Sequence, residues 1–364
     1  MKNIIFFMPQ FTIGGAGNSV TRLCSKLDKR KYRIYIISIG RCHYKKQLKN
    51  FCHKIYELKK SRTLFAYFKL RKIVSNIYKN FPDKTIFISN QHYANIISLI
   101  SLKKFRYIKI VLVDRIDINE LRKYYTFFKF IKNIIIYYLC SKLYKYADAV
   151  VSNSKSAKKD LSKLCNTRII NITPPSLIKF RKKNIIRIKK KNIILNVGSL
   201  VKGKGVDTII KAFKNVKLNN ISLKIIGEGE ERSNLTKLIN RLKLQKKIHL
   251  IGWVKNVNKY YLESNLFVHA SHQEGFPNSI VEAINFNLPV IASNCKGGTK
   301  EILINGKGGD LFPVNDDEIL AKKINSYFKN TTSLKRKLLL ARKNIKNYSL
   351  DNNLYHYNKL FIKL

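Results

Sequence analysis

The chain has 364 residues, with 72 lysines and arginines against 21 acidic residues, a net charge of +51 and an apolar fraction of 45%. That length exceeds one compact core and suits two domains of ordinary size. Six cysteines, at 24, 42, 52, 140, 165 and 295, lack metal or redox spacing and read as reduced thiols.

The chain opens with an apolar strand, Lys2 to Met8, followed by Gly14-Gly15-Ala16-Gly17 and a helix whose apolar face carries Val20, Leu23 and Leu27. Glycines after the first strand of an α/β domain commonly approach a ligand, although a turn needing positive φ looks the same. Ile4 to Met8 is too short for a signal peptide and is interrupted by Pro9, so a cytoplasmic location is expected. Further strands are expected at Arg33 to Ile39, Thr85 to Ser89, Ile108 to Val113 and Ala147 to Val151, each followed by helical pattern. His92, in SNQHYAN, falls at a strand end, where a histidine either meets a ligand or simply bonds structurally.

The segment Leu121 to Tyr146 interleaves Lys123, Lys129, Lys132, Lys142 and Lys145 with Tyr124, Tyr125, Phe127, Phe128, Phe130 and Tyr137. A helix there is basic and aromatic on adjoining faces, as suits an anionic membrane surface. A core-facing helix with a lysine-biased exterior gives the same pattern. The lysines and Asn133 interrupt it too often for a membrane span. Pro174-Pro175 and the basic stretch Lys179 to Lys191 mark a linker, so the expected division is 1–172, a linker at 173–191, and 192–349, with a last helix at 350–364 packing back on the first domain.

The second half begins with the strand Asn192 to Val197, a glycine-rich loop through Lys204, and an amphipathic helix from Val206 to about Lys217. Gly203 and Gly205 let backbone approach a ligand, and Lys204 is a compact cation suited to a diphosphate oxygen. The loop is neither GxGxxG nor a Walker motif. Further on, Glu274-Gly-Phe-Pro-Asn-Ser-Ile-Val-Glu282 sets two carboxylates around a loop that turns into a helix, Asn278 to Asn285, with Pro277 in its first turn. Free amides at Phe276 to Ile280 attract phosphate, Glu282 can accept from a ribose diol and Glu274 from sugar hydroxyls. A Glu in a first helical turn also simply complements the helix dipole. No Asp-x-Asp, HExxH or CxxC occurs, so no metal and no cofactor are expected.

In order, NVGSLVKGKGVDTIIKAF at 196–213, LKIIGEGEERSNL at 223–235, IHLIGWV at 248–254, ASHQEGFPNSIVEAINFNLPVIAS at 270–293, GGTKEI at 297–302 and YKYADAVVSNSKSAKKDL at 144–161 resemble the retaining nucleotide-sugar glycosyltransferases of family GT4. The resemblance covers nearly the whole chain. It implies an α/β GT-B fold, two facing Rossmann-like domains with parallel sheets and a cleft between them. It also implies Gly15 at the donor diphosphate, Lys204 on the phosphate, Glu274 on the donor sugar, Glu282 on the ribose and His92 near the transferred sugar. Gly275, Phe276, Pro277, Asn278 and Ser279 resemble the family's phosphate and sugar cradle, and backbone at Trp253 and Val254 its base-reading segment. Most relatives carry an arginine after the phosphate-loop glycine, where this chain has Ser199; Lys202, Lys296 or Arg232 are the candidate substitutes.

The implied reaction is transfer of a sugar from a nucleotide-diphosphate donor, expected to be a UDP-sugar, to a surface glycan: lipopolysaccharide, capsule or a lipid-linked oligosaccharide. The acceptor attacks from the face the diphosphate leaves, with no protein nucleophile. A retaining glycosidase pair, with carboxyls roughly 5 Å apart across one bond, is the arrangement Glu274 and Glu282 could be mistaken for. Two rivals remain, a nucleotide-sugar epimerase on the same fold and a basic nucleic-acid-binding protein. Against the latter, lysines are spread along the whole chain beside abundant Ile, Asn, Tyr and Phe, all with A/T-rich codons, so much of the charge reads as genome bias and no nucleic-acid partner is expected.

Overall fold

The computed structural model of the chain describes every residue except 12–13, 60–62, 83, 116–117, 123–126, 182–191 and 219. It divides into two compact units, Met1–Pro175 together with Leu350–Leu364, and Ser176–Ser349. The second unit starts earlier than the expected linker allows. Ser176 bonds the Asn278 side chain, the Leu177 N–H donates to the Tyr348 carbonyl, and the Arg181 N–H donates to Asn285, so Ser176 to Arg181 is part of that unit. The rest of the basic stretch, 182–191, lies outside the described residues.

The first unit holds strands β1 (Lys2–Met8), β2 (Tyr32–Ser38), β3 (Lys54–Glu57), β4 (Thr85–Asn90), β5 (Ile108–Asp114), β6 (Ala149–Ser152) and β7 (Ile169–Asn171) in the order β3-β2-β1-β4-β5-β6-β7, all parallel. Such a sheet is covered on both faces, which is why its strands are continuously apolar. Alternate residues feed opposite layers: Ile5 and Phe7 join one core, Ile4, Phe6 and Met8 the other. The last helix, Leu350–Lys363, buries Tyr357, Leu360 and Phe361 in that second layer, with Phe361 edge-on to Tyr32.

The second unit repeats the plan with β8 (Asn192–Val197), β9 (Ile221–Ile226), β10 (Ile248–Gly252), β11 (Leu266–His269), β12 (Val290–Ser293) and β13 (Asp310–Phe312) in the order β10-β9-β8-β11-β12-β13, again parallel. In each unit the chain fills one side of its first strand and then crosses to the other. The reversal falls between β1 and β4 and between β8 and β11. Loops leaving the carboxyl ends of those paired strands diverge and open a crevice, the place where sheets of this type hold ligands.

Candidate functional site

In the second unit the two loops flanking the reversal carry the residues singled out by sequence. The loop after β8 is fastened by Gly198 N–H to the Ile226 carbonyl and Leu200 N–H to the Glu228 carbonyl. It ends in a short turn, Lys202–Lys204, and at Gly205, whose φ of 60° and ψ of 30° are left-handed. A Cβ on Gly205 would stand 2.1 Å from the Ala270 carbonyl oxygen, so this loop runs directly against the end of β11. At Gly203, by contrast, a Cβ would meet no protein atom within 4 Å. The His272 N–H donates to the Gly203 carbonyl at 2.9 Å and ties the two loops together.

That seam brings Lys204 onto Glu274. The Lys204 ammonium lies 2.5 Å from Glu274 Oε1, which also receives Ser271 Oγ at 2.7 Å and lies 3.1 Å from His269 Nε2. All three groups converge on one oxygen, and among the described residues no protein donor reaches Oε2. Burial raises the pKa of the Glu274 carboxyl, but the Lys204 ammonium, backed by His269, outweighs it and holds the group well below the usual carboxylate range. It is therefore a fixed anion with one lone-pair face to offer. Its N–H donates to the Lys296 carbonyl, which sets the loop against the turn after β12.

The depressed pKa has a measurable consequence. A carboxyl ionised more easily in the folded than in the unfolded chain contributes stability above its unfolded value of 4.5 and loses it as pH falls through the folded value. Glu274→Gln is expected to flatten the fall of Tm below pH 4.5, followed by circular dichroism; an unchanged slope would show that the ion pair contributes nothing.

The helix Asn278–Asn285 begins where the sequence places it, but Pro277 is its cap, extended at φ −80° and ψ 90°, and not a member of its first turn. The Ile280 N–H is spent on the Pro277 carbonyl, which removes it from the expected cradle. Among the described residues, the amides of Phe276, Asn278 and Ser279 have no backbone acceptor outside their own helix, and the Asn278 side chain is held by Ser176. Glu282, half-buried, accepts from the Tyr261 hydroxyl at 3.1 Å. Burial first, and then Glu282, push that phenol well above its ordinary pKa, so Tyr261 is a dedicated donor. On the far side of β9, Trp253 follows Gly252, whose φ is positive, and is 54% exposed, with Val254 half-buried beside it.

Of the candidate replacements for the arginine missing at the exposed Ser199, Arg232 is committed: it pairs with Glu228 at 2.8 Å and donates to the Leu250 carbonyl. Lys202 and Lys296 are exposed and form no ion pair among the described residues. His269, Ser271 and Tyr261 were missed by sequence reading. The first two alternate at the end of a strand, in HASHQE, a spacing that aims both side chains to one face.

Gly15 and His92 belong to the first unit. Gly15 opens the helix Gly15–Cys24 after β1, and its carbonyl accepts from Ser19. His92 opens the helix His92–Leu102 after β4, next to Gln91, whose φ of 78° is uncommon for a side-chain-bearing residue. The His92 side chain is 7% exposed, and its Nδ1 lies 3.0 Å from Asp114 Oδ1. Asp114 also accepts from Asn95 and the Tyr144 hydroxyl, both at 2.9 Å. This network holds the ring in one orientation and places the proton of a neutral imidazole on Nδ1.

Both halves of the chain are similar to glycosyltransferases. The family model "Glycosyl transferases group 1" matches residues 178–348, and "Glycosyltransferase Family 4" matches 13–174. The chain is 36% identical over 174 residues to an uncharacterized glycosyltransferase of Methanocaldococcus jannaschii, a match spanning 44% of this chain and 43% of that one. It is 27% identical to an uncharacterized glycosyltransferase of Haemophilus influenzae over 91% of both chains. It is 31% identical over half of each chain to a Campylobacter jejuni enzyme named as an N-acetylgalactosamine-N,N'-diacetylbacillosaminyl-diphospho-undecaprenol 4-alpha-N-acetylgalactosaminyltransferase. Among solved structures, the Anabaena protein HepE in complex with UDP superposes with a TM-score of 0.81 at 18% identity, over the full length of both chains.

Proposed function

Because the chain belongs to the group 1 glycosyltransferases and has their two-sheet GT-B fold, we propose that it is a retaining, metal-independent transferase that moves a sugar from a UDP-sugar to a lipid-linked or surface glycan. The observation that carries this reading is the Lys204–Glu274 pair, a cation and a fixed carboxylate set at the reversal of the second sheet. On binding of a donor, Lys204 reaches the diphosphate while remaining the counter-ion of Glu274, which offers Oε2 to a hydroxyl of the sugar. Glu282, oriented by Tyr261, takes the ribose diol, and the exposed Trp253 indole, with Val254, faces the base. In the first unit, the Asp114 contact at Nδ1 leaves His92 Nε2 in the acceptor form, suited to a sugar hydroxyl.

The same geometry favours retention. A carboxylate held far below its ordinary pKa by Lys204 and His269 is a poor base and a poor nucleophile, so Glu274 positions the sugar and does not attack it. Departure of the diphosphate is then driven by Lys204 and by the amides before the helix Asn278–Asn285, which stabilise developing negative charge without a metal. The acceptor hydroxyl enters from the face the diphosphate leaves, and the diphosphate takes its proton. The diphospho-undecaprenol acceptor named for the Campylobacter relative supports a lipid-linked acceptor; on this reading the enzyme works at the inner face of a membrane.

Thermal shift against UDP-, GDP-, ADP- and dTDP-sugars tests the donor. A UDP-sugar at about 100 times its Kd is expected to stabilise the protein by about 2.7 kcal/mol. Glu274→Ala should retain stabilisation by UDP while losing transfer by a factor of about 10² or more. Full-rate transfer by that variant, or no response to any nucleotide sugar, would remove the reading.

A further inference from the structure

We propose that the outer face of the helix Phe127–Leu143 in the first unit is a docking surface for an anionic lipid bilayer. This helix has 17 residues, about 25 Å of length, and is apolar almost all round. A helix of that kind is normally buried on every side. Here only one side is. Cys140 and Asn133 are buried, Ile136, Tyr137 and Leu139 pack against the core, and Asn133 accepts from the Tyr93 hydroxyl. On the other side Phe127 is 61% exposed and Phe128 84%, and Ile131, Ile134, Ile135 and Tyr138 are exposed with them. At 3.6 residues per turn, 127, 131, 134 and 138 form one line, with 128 and 135 beside it. Six large apolar side chains in one stripe are far more than the scattered exposure of an ordinary surface.

The charge around the stripe identifies what covers it. From Leu121 to Ala147 the sequence contains no acidic residue and six cations. Lys132, Lys142 and Lys145 are exposed along the helix and just beyond it. Lys142 lies over the Tyr138 ring at 5.5 Å, and Lys103 and Lys145 lie over the Tyr146 ring at 4.7 and 5.2 Å. Ammonium groups thus flank the apolar line, as they must if aromatic tips enter the acyl boundary while cations stay among phosphates. A second copy fits less well, because each copy carries a net charge of +51 and the same lysines would face each other. Among the described residues no helix is long and apolar enough to cross a membrane, so the contact is one of lying on the surface. Of the segment marked by sequence, Lys123, Tyr124 and Tyr125 lie outside the described residues.

This inference extends the reading of a lipid-linked acceptor but is tested without any sugar donor, so each can fail alone. The full chain is co-sedimented with vesicles of phosphatidylcholine, alone or mixed with phosphatidylglycerol. Binding is expected to the mixed vesicles only, weakening roughly tenfold or more at high salt, as an exposed charge contact must. The variant Phe127→Ser, Phe128→Ser, Ile131→Ser alters exposed side chains; with unchanged circular dichroism it is expected to bind mixed vesicles at least roughly tenfold more weakly. Undiminished vesicle binding by that folded variant overturns the proposal. So does failure of the native chain to bind mixed vesicles, and so does a native dimer that the variant converts to monomer, which would give the face to a second copy.

Discussion

Lys204→Ala is expected to lower kcat/KM for sugar transfer by about 10² to 10³, the cost of losing one group that stabilises charge on a leaving oxygen. The structure adds a second, separable effect. Lys204 is the counter-ion of Glu274, whose side chain is 8% exposed, so its removal leaves a buried carboxylate with only Ser271 and His269. Breaking a fully buried pair costs about 3 to 5 kcal/mol. Lys204 itself is 30% exposed, and solvent screening reduces the expected loss to about 1 to 3 kcal/mol. With the ammonium gone, burial, already the largest single influence on Glu274, is opposed by His269 alone, and the folded pKa rises. A raised carboxyl pKa favours folding at low pH, so the variant is expected to lose stability relative to native as pH rises through that value. The double variant Lys204→Ala, Glu274→Gln should recover stability and not transfer. Tm against pH and initial rates for the three proteins decide the matter; equal stability of single and double variants at neutral pH would show that the carboxylate does not depend on the lysine.

Gly205→Ala is expected to damage the same site without touching a charge. The left-handed conformation alone costs a non-glycine residue about 1 to 3 kcal/mol. The added methyl would also stand 2.1 Å from the Ala270 carbonyl, a backbone atom that cannot swing aside. The loop must therefore back away from β11 and take Lys204 with it. A misplacement of about 1 Å can cost about 10² in rate. The control is Gly203→Ala, two residues earlier, whose methyl meets nothing within 4 Å and which should leave Tm unchanged. If both variants melt alike, contact with β11 is not what shapes the loop.

Much of this architecture was legible in the residues. Buried parallel strands announce themselves as unbroken apolar runs, which is why β1, β8 and the helix Asn278–Asn285 fall where the pattern places them. Elements short of that signal escaped. β3 and β7, of four and three residues, are partly exposed at the sheet edges, too short and too polar to stand out. The helix from Val206 ends at Phe213 and not near Lys217, because Val216 is buried from a turn and imitates the next step of the helical period.

The sequence by itself determined the parallel α/β class and the residue types at the site, because hydrophobic periodicity and glycine placement are local properties of the chain. Only the tertiary structure decided which residues act on one another. Lys204 and Glu274, 70 positions apart, became a pair because β8 and β11 are neighbours and Gly205 lets their loops touch. The same adjacency brought His269 and Ser271 onto one carboxylate oxygen and Tyr261 onto Glu282, pairings set by strand order and not by spacing along the chain. The exposure of Phe127 and Phe128 is of the same kind: composition marks the helix as apolar, and only packing shows which of its faces is left uncovered.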